Sequence, residues 1–377
     1  MSTLNTLVTI AKVHALLFRA RADRPLVTSF GSLLERPALI VEVTDTDGAR
    51  GWGEVWCNFP PYAAENRARF LKNVVAPALD GTTIDEPADA GRRIDRLFGI
   101  QAIQAGEEGL LASVAAGLDQ ALWDLVARRH QVPLWQALGG TRTVRVYASG
   151  IDPEQALDTV AAEHDAGHRA FKLKVGFSDR IDIDTVATVR DRSADDVALM
   201  VDANQAWSPR QALEVAERLA PFNLEWLEEP IRADESFRVW RELSARSPIA
   251  LATGENIRSA HHFTRLIESR LVAHVQPDVG KWGGVSHCLT VGRRAADAGI
   301  AYSPHWHGGG IGLAISLNLL GAVGGSGLGE IDVNPNPLRD AFPLPSINNG
   351  TIELSDQQGF GFEPDLASLR HFRREID

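Results

Sequence analysis

The sequence predicts an α/β protein built as a (β/α) barrel behind an N-terminal α+β domain. Three observations carry that reading. The first 140 residues change once, from strand patterning to helix patterning. After residue 143, eight short apolar runs alternate with amphipathic stretches. The ionisable residues at the ends of those runs recur about one βα unit apart. A chain of 377 residues also exceeds one ordinary core, so two domains are expected.

Residues 5–60 read as strands, with ALIVEVTD and GWGEVW flanking TDGAR as a hairpin. From about 64 to 138 the apolar spacing becomes three and four, clearest in GLLASVAAGLDQALWDLVARRHQ, and the glycines of LGG close the run. The barrel strands are VRVYASG, AFKLKVG, VALMVDAN, LEWLEEP, IALATGE, AHVQPD, IAYSPHWH and GLGEID. Helices are expected between them at 153–166, 208–220, 258–270 and 284–298. The last 45 residues are loop-rich and are expected to return to the first domain.

Composition narrows the setting. A hydrophobic content of 44% and a charged content of 23% belong to a folded globular chain. A net charge of −11 with no basic run speaks against nucleic acid as a partner. Cys57 and Cys288 form no disulfide framework or zinc spacing, which suits a reducing cytoplasm. The start, MSTLNTLVTIAKV, does not read as a leader, and the run IGLAISLNLLGAVGG is too short and polar for a bilayer. A cytoplasmic protein without a membrane partner is expected.

In AFKLKVG, Lys172 and Lys174 point to one side of a strand. Such a pair belongs at a barrel mouth, not in a dry core. The other strand-end residues are Asp202, Glu228, Glu255, Asp278, His305 and Glu330, and the C-terminal strand ends converge on one mouth. Asp202, Glu228 and Glu255 come from consecutive strands, where their mutual repulsion calls for a cation. All-oxygen ligands favour Mg²⁺ over zinc. In LEEP, Glu228 is the ligand and Glu229 faces the other way. Lys174, its pKa lowered by a neighbouring ammonium and the metal, is the expected base. Asp278 is placed to orient His305, the second acid/base group. Trp306 is counted with the substrate-binding side chains, and a loop role is expected for His307.

The set KLK, DAN, EEP, GE, PDVGKWGG, SPHWH and GEID resembles, in order and spacing, the enolase superfamily and its mandelate racemase-like group. GWGEVW and GLDQALWDLVARRHQVPLWQALGG extend the resemblance over nearly the whole chain. It implies a capping domain at 1–140, completed by about 340–377, over a modified (β/α)7β barrel at 141–339. It implies Mg²⁺ on Asp202, Glu228 and Glu255, with Lys174 and the His305–Asp278 dyad as acid/base catalysts. Lys172 and Glu330 would contact the substrate carboxylate, Asn204 would line the pocket, and the protein would be a homo-oligomer. Family members remove the proton alpha to a carboxylate, forming an enediolate.

That chemistry points to a small carboxylate substrate, an acid sugar or a hydroxy acid, with acid-sugar dehydration preferred. Racemisation of a 2-hydroxy acid and cycloisomerisation of a sugar lactone are alternatives, the latter on the cue of NPNPLRD. Lys281 raises a lysine–lysine epimerase, yet three residues past Asp278 it is not expected in the mouth. A metal-dependent hydrolase, suggested by HWH, and a non-catalytic binding protein are the readings from other classes. Substrate choice is expected from the loops 28–36 and 56–66, whose Phe30, Trp56 and Phe59 either shape the pocket or fill the cap core.

Overall fold

A computed structural model describes residues 4–194 and 197–376; the first three residues of the N-terminal stretch read above lie outside them. Strands Val8–Thr28, Gly31–Asp45 and Arg50–Val55 form an antiparallel sheet, joined at one edge by Arg373–Arg374. In the turn between the second and third strands, Asp45 Oδ1 accepts the N–H groups of Asp47 and Ala49, and Gly48 takes φ +85°. The helix Glu108–Arg129 lies on this sheet with no room to spare. A Cβ on Gly51 would sit 2.2 Å from the Ala121 carbonyl oxygen, and one on Gly53 2.2 Å from that of Gly117. The alternating glycines of GWG therefore let helix and sheet approach. This helix is long and apolar enough to cross a membrane, but 78% of its apolar window is buried inside the protein.

Eight parallel strands follow: Thr143–Ile151, Ala170–Lys174, Ala198–Asp202, Leu224–Glu228, Leu251–Thr253, His274–Val275, Ala301–Tyr302 and Gly329–Asp332. The first seven pair in sequence order, and the eighth pairs with the first. Each of the first seven leads into a helix, the last of these being Gly310–Val323. The eighth leads only into the single turn Pro337–Asp340, so the architecture is (β/α)7β. The chain then lays Thr351–Glu353 against the first strand and returns to the cap sheet. Apolar side chains fill the space between strands and helices, and Tyr147, Met200, Trp226 and Leu328 fill the barrel's interior.

Buried polar ties fasten cap to barrel. Glu54, on the third cap strand, accepts the N–H groups of Gly309 at 2.5 Å and Gly312 at 3.0 Å, where the helix Gly310–Val323 begins. Burial pushes its carboxyl up to about 7. Arg36, on the second cap strand, pairs with Asp332 at the end of the eighth barrel strand, and both are buried. Arg36→Ala should cost roughly 3 kcal/mol, since removing one partner leaves a buried charge uncompensated. Urea unfolding of the two proteins measures it; a loss below about 0.5 kcal/mol would show that Arg339, 3.6 Å from Asp332, and His307, 3.4 Å from it, suffice for that carboxylate.

Candidate active site

The strand ends bring the expected residues together. Lys172 is fully buried, with Nζ 2.7 Å from Glu228 Oε1 and 2.9 Å from Glu330 Oε1. Lys174 Nζ lies 2.6 Å from Asp202 Oδ2 and donates to Asn204 Oδ1 at 2.9 Å. Across the mouth, His305 sits between two acids, Nδ1 2.6 Å from Asp278 and Nε2 2.9 Å from Glu255. Asp278 is fixed in turn by the N–H groups of Gly280 and Lys281. Period-two alternation explains why these side chains share one interior: Lys172 and Lys174, and Trp226 and Glu228, point the same way. The same parity in the first strand carries inward Tyr147 and Ser149, which the sequence reading passed over. Tyr147 hydroxyl meets Lys172 at 3.2 Å, and Ser149 Oγ meets Glu330 at 2.5 Å. Gln276 and Trp226 both donate to Glu228 Oε2.

The charges are unevenly shared. Burial works against His305 carrying a proton, but Glu255, Glu330 and Asp278 outweigh it and raise the imidazole to about 10. Burial would raise Glu330, yet Lys172 and the two histidines hold it down at about 2, so its carboxylate accepts hydrogen bonds from the Ser149 hydroxyl and the Trp306 N–H. Burial likewise opposes charge on Lys174, but Asp202 outweighs it and moves the amine up. Among the protein groups alone, the adjacent anion acts on this amine more strongly than the adjacent ammonium. Burial, with Asp202 and Glu330 nearby, pushes Glu228 up to about 7, and burial with Glu255 nearby raises Glu229 well above the usual carboxylate range. The nest holds more carboxylate than its own cations neutralise.

Two family models match the chain: "Mandelate racemase / muconate lactonizing enzyme, N-terminal domain" over residues 12–139 and "Enolase C-terminal domain-like" over 155–368. The chain belongs to the enolase superfamily. Within it the match is to the mandelate racemase/muconate lactonizing enzyme branch, whose members here are dehydratases, cycloisomerases and racemases. The D-galactarolactone cycloisomerase of Agrobacterium fabrum is 28% identical, over 97% of this chain and 98% of the relative. A solved mandelate racemase/muconate lactonizing enzyme from Bordetella bronchiseptica RB50 is 45% identical with a TM-score of 0.92, covering 97% of this chain and 99% of that one. An L-talarate/galactarate dehydratase variant solved with Mg and L-glucarate is 26% identical, TM-score 0.83, over 97% and 92% of the two chains.

The donor chemistry of this enolase-superfamily protein fits a hard dication. Asp202, Glu228 and Glu255 are buried oxygen donors from three consecutive strand ends, and Asp202 and Glu228 stand in register as strand partners. The surplus acid around them is what a divalent cation offsets. Among the described residues, no three carboxylate, imidazole or thiol groups close around one point. Each of the three acids is instead turned onto its own cation: Lys174, Lys172, and Lys281 with His305.

A cavity of about 840 Å³ opens between mouth and cap, lined at its base by Lys174, Asn204, Glu255, Lys281, His305 and His307. Lys172, Asp202, Glu228 and Glu330 lie beneath this lining, buried in their ion pairs. Three expectations need correction. Trp306 does not line the cavity: its ring is buried in a slot left by Gly280, Gly308 and Gly312, and only its backbone N–H reaches the site, donating to Glu330. Lys281 does enter the mouth. The bend at Asp278–Gly280 swings it round until Nζ is 2.7 Å from Glu255 and 4.6 Å from the Trp56 ring centre. His307 is more than a loop residue, being buried in the cavity wall 3.4 Å from Asp332. Burial lowers its imidazole to about 4.

From the cap, Phe30 is 59% exposed and meets Phe59 edge-on at 5.2 Å, while Trp56 is half-buried in the cavity wall. Phe30→Ala should therefore leave the melting temperature nearly unchanged and alter relative kcat/KM between substrates several-fold. Equal losses on every substrate with a lower melting temperature would make it a core residue.

Proposed function

We propose that this protein is an Mg²⁺-dependent acid-sugar dehydratase. The observation that carries the reading is the pair of acid/base groups opening on one cavity from opposite sides, Lys174 from the second strand and the His305–Asp278 pair from the seventh and sixth. Held by Asp202, Glu228 and Glu255, Mg²⁺ would offset the charge developing on the substrate carboxylate and weaken the hold of Asp202 on the Lys174 proton. Lys174, as the free amine, takes the proton alpha to the carboxylate, and the C–H electron pair moves into the carboxylate as an enediolate. Lys172 faces that charge, and Glu330 orients Lys172. The enediolate then re-forms the carboxylate, the alpha–beta double bond forms and the beta C–O bond breaks. His305, charged near neutrality, gives its proton to the departing hydroxyl, which leaves as water. The resulting enol ketonises to a 2-keto-3-deoxy acid. The cap over the mouth excludes water while this proceeds.

The test is a screen of acid sugars, their lactones and aryl hydroxy acids with Mg²⁺, read by product NMR in D₂O. A 2-keto-3-deoxy acid supports dehydration; an inverted alpha centre with no loss of water refutes it. A second reading, lactone cycloisomerisation, is favoured by the near full-length similarity to the A. fabrum cycloisomerase. The same spectra separate it, because the substrate would then be a lactone and the product an isomer of equal mass.

We further take residues 1–140 with about 340–377 as the cap and 141–339 as the catalytic barrel, a division supported by the return of Arg373–Arg374 to the cap sheet. We place the enzyme in the cytoplasm as a homo-oligomer acting on small carboxylates, not on nucleic acid or membranes. The two free, buried thiols and the charge of −11 support the compartment and the exclusion of nucleic acid.

A further inference from the structure

We infer that the cap end of the cavity is a second anion site, built from Arg67 and Arg258, and that the substrate is a dicarboxylic sugar acid whose far carboxylate binds there. The inference rests on the dehydratase reading only for the position of the reacting end.

Arg67 is 9% exposed, yet among the described residues no carboxylate stands within ion-pairing distance of it. Its Nε donates to Ser113 at 2.9 Å and Nη1 to the Ala63 carbonyl at 3.2 Å, which fixes the guanidinium while leaving Nη2 without a protein partner. A buried cation with no carboxylate paired to it is costly, and one in a cavity wall is an offer to an anionic ligand. Arg258 stands close enough to repel Arg67 and lower its pKa, after the larger lowering by burial. It too has no ion-pair partner among the described residues. Its guanidinium lies over Gly109, where a Cβ would come within 2.7 Å of Nη1. Gly109 and Leu110, in the first turn of the helix Glu108–Arg129, line the same cavity, so that helix end adds its partial positive charge. Glu107, just before that helix, lines the same cavity and its charge favours the Arg67 cation, but among the described residues it forms no ion pair with either arginine. Two unpaired guanidiniums facing one exposed carboxylate leave positive charge to spare, and their forks match the planar, two-oxygen geometry of a carboxylate.

The span fits a short diacid. Trp56 touches both ends: Lys281 Nζ is 4.6 Å and the Arg67 guanidinium carbon 5.8 Å from its ring centre. Arg67 is therefore no more than about 10 Å from the ammonium that pairs with Glu255. An extended six-carbon diacid, with C–C bonds of about 1.5 Å, is long enough to bridge from the Lys281 ammonium, beside Glu255, to Arg67. A monocarboxylic sugar acid of the same length would place an uncharged hydroxyl beside two cations.

The test measures binding rather than turnover. Galactarate, D-galactonate and 6-phosphogluconate are titrated calorimetrically into the Mg²⁺-loaded protein and into Arg258→Gln and Arg67→Lys, with melting curves to confirm folding. Galactarate should bind wild type about 10- to 100-fold more tightly than galactonate, the range for a charge-assisted contact. That ratio should fall toward one in Arg258→Gln, which is exposed and leaves the interior intact, and partly in Arg67→Lys. A wild-type ratio near one, a ratio that both variants preserve, or no galactarate binding at millimolar concentration overturns the proposal. Tighter binding of 6-phosphogluconate than of galactarate overturns the carboxylate assignment in favour of a phosphate. If the binding ratios behave as expected but no acid exchanges its alpha proton in D₂O, the anion site stands and the dehydratase reading falls.

Discussion

Alanine at Glu228 should remove measurable turnover while leaving a folded protein, and alanine at Asp202 or Glu255 should do the same. Proton removal alpha to a carboxylate puts a second negative charge on one small group, and a dication supplies several kcal/mol toward it. Losing the ion therefore means a fall of at least about 10³-fold in kcat, at 1.4 kcal/mol per factor of ten. The fold should survive because the strands are held by backbone pairing and apolar packing. Removing Glu228 still leaves Lys172 its partner Glu330 at 2.9 Å. Dialysis against EDTA should abolish activity in wild type and added Mg²⁺ should restore it. Full activity after exhaustive dialysis would sink the metal assignment.

Much of this site was legible because a barrel turns linear spacing into convergence. Once the strands are recognised, Lys174, Asp202, Glu228, Asp278 and His305 must meet at one rim, and their types then dictate the chemistry. What the sequence withheld was the direction taken by side chains beyond the strand ends. Lys281 follows a bend, not a strand, so counting from Asp278 pointed it the wrong way. Trp306 is adjacent to His305 in sequence, but alternation sends its ring into the protein. Pairing across domains was also illegible: Arg36 and Asp332, or Glu54 and the Gly309–Gly312 turn, meet only once the cap is seated. The charge states depend on the same contacts. Whether Lys174 is raised or lowered turns on the 2.6 Å approach of Asp202, which no spacing rule reveals.

The two faces of the substrate give the sharpest separation of mechanisms. On a confirmed substrate, Lys174→Ala should lose both alpha-proton exchange with D₂O and product formation, because Lys172, the other amine on that side, is held in ion pairs with Glu228 and Glu330. His305→Asn should keep exchange through Lys174 but lose dehydration by at least about 10²-fold, the usual contribution of a general acid. Asp278→Asn should do less harm than His305→Asn, since the imidazole that gives the proton stays in place and loses only one of the anions that favour its charge. A racemase would behave otherwise: each single variant would still exchange the alpha proton of one enantiomer, the opposite base surviving. The pH profile adds an independent sign. His305 must be protonated to act as the acid and is raised to about 10, so activity should be lost as pH climbs through that group's value. Mg²⁺ drawing Glu255 away from the imidazole would bring that limb below 10, and Asp278→Asn should bring it lower still by removing a second stabilising anion. If neither substitution on the two faces changes exchange or turnover, Lys174 and His305 are not the catalytic pair.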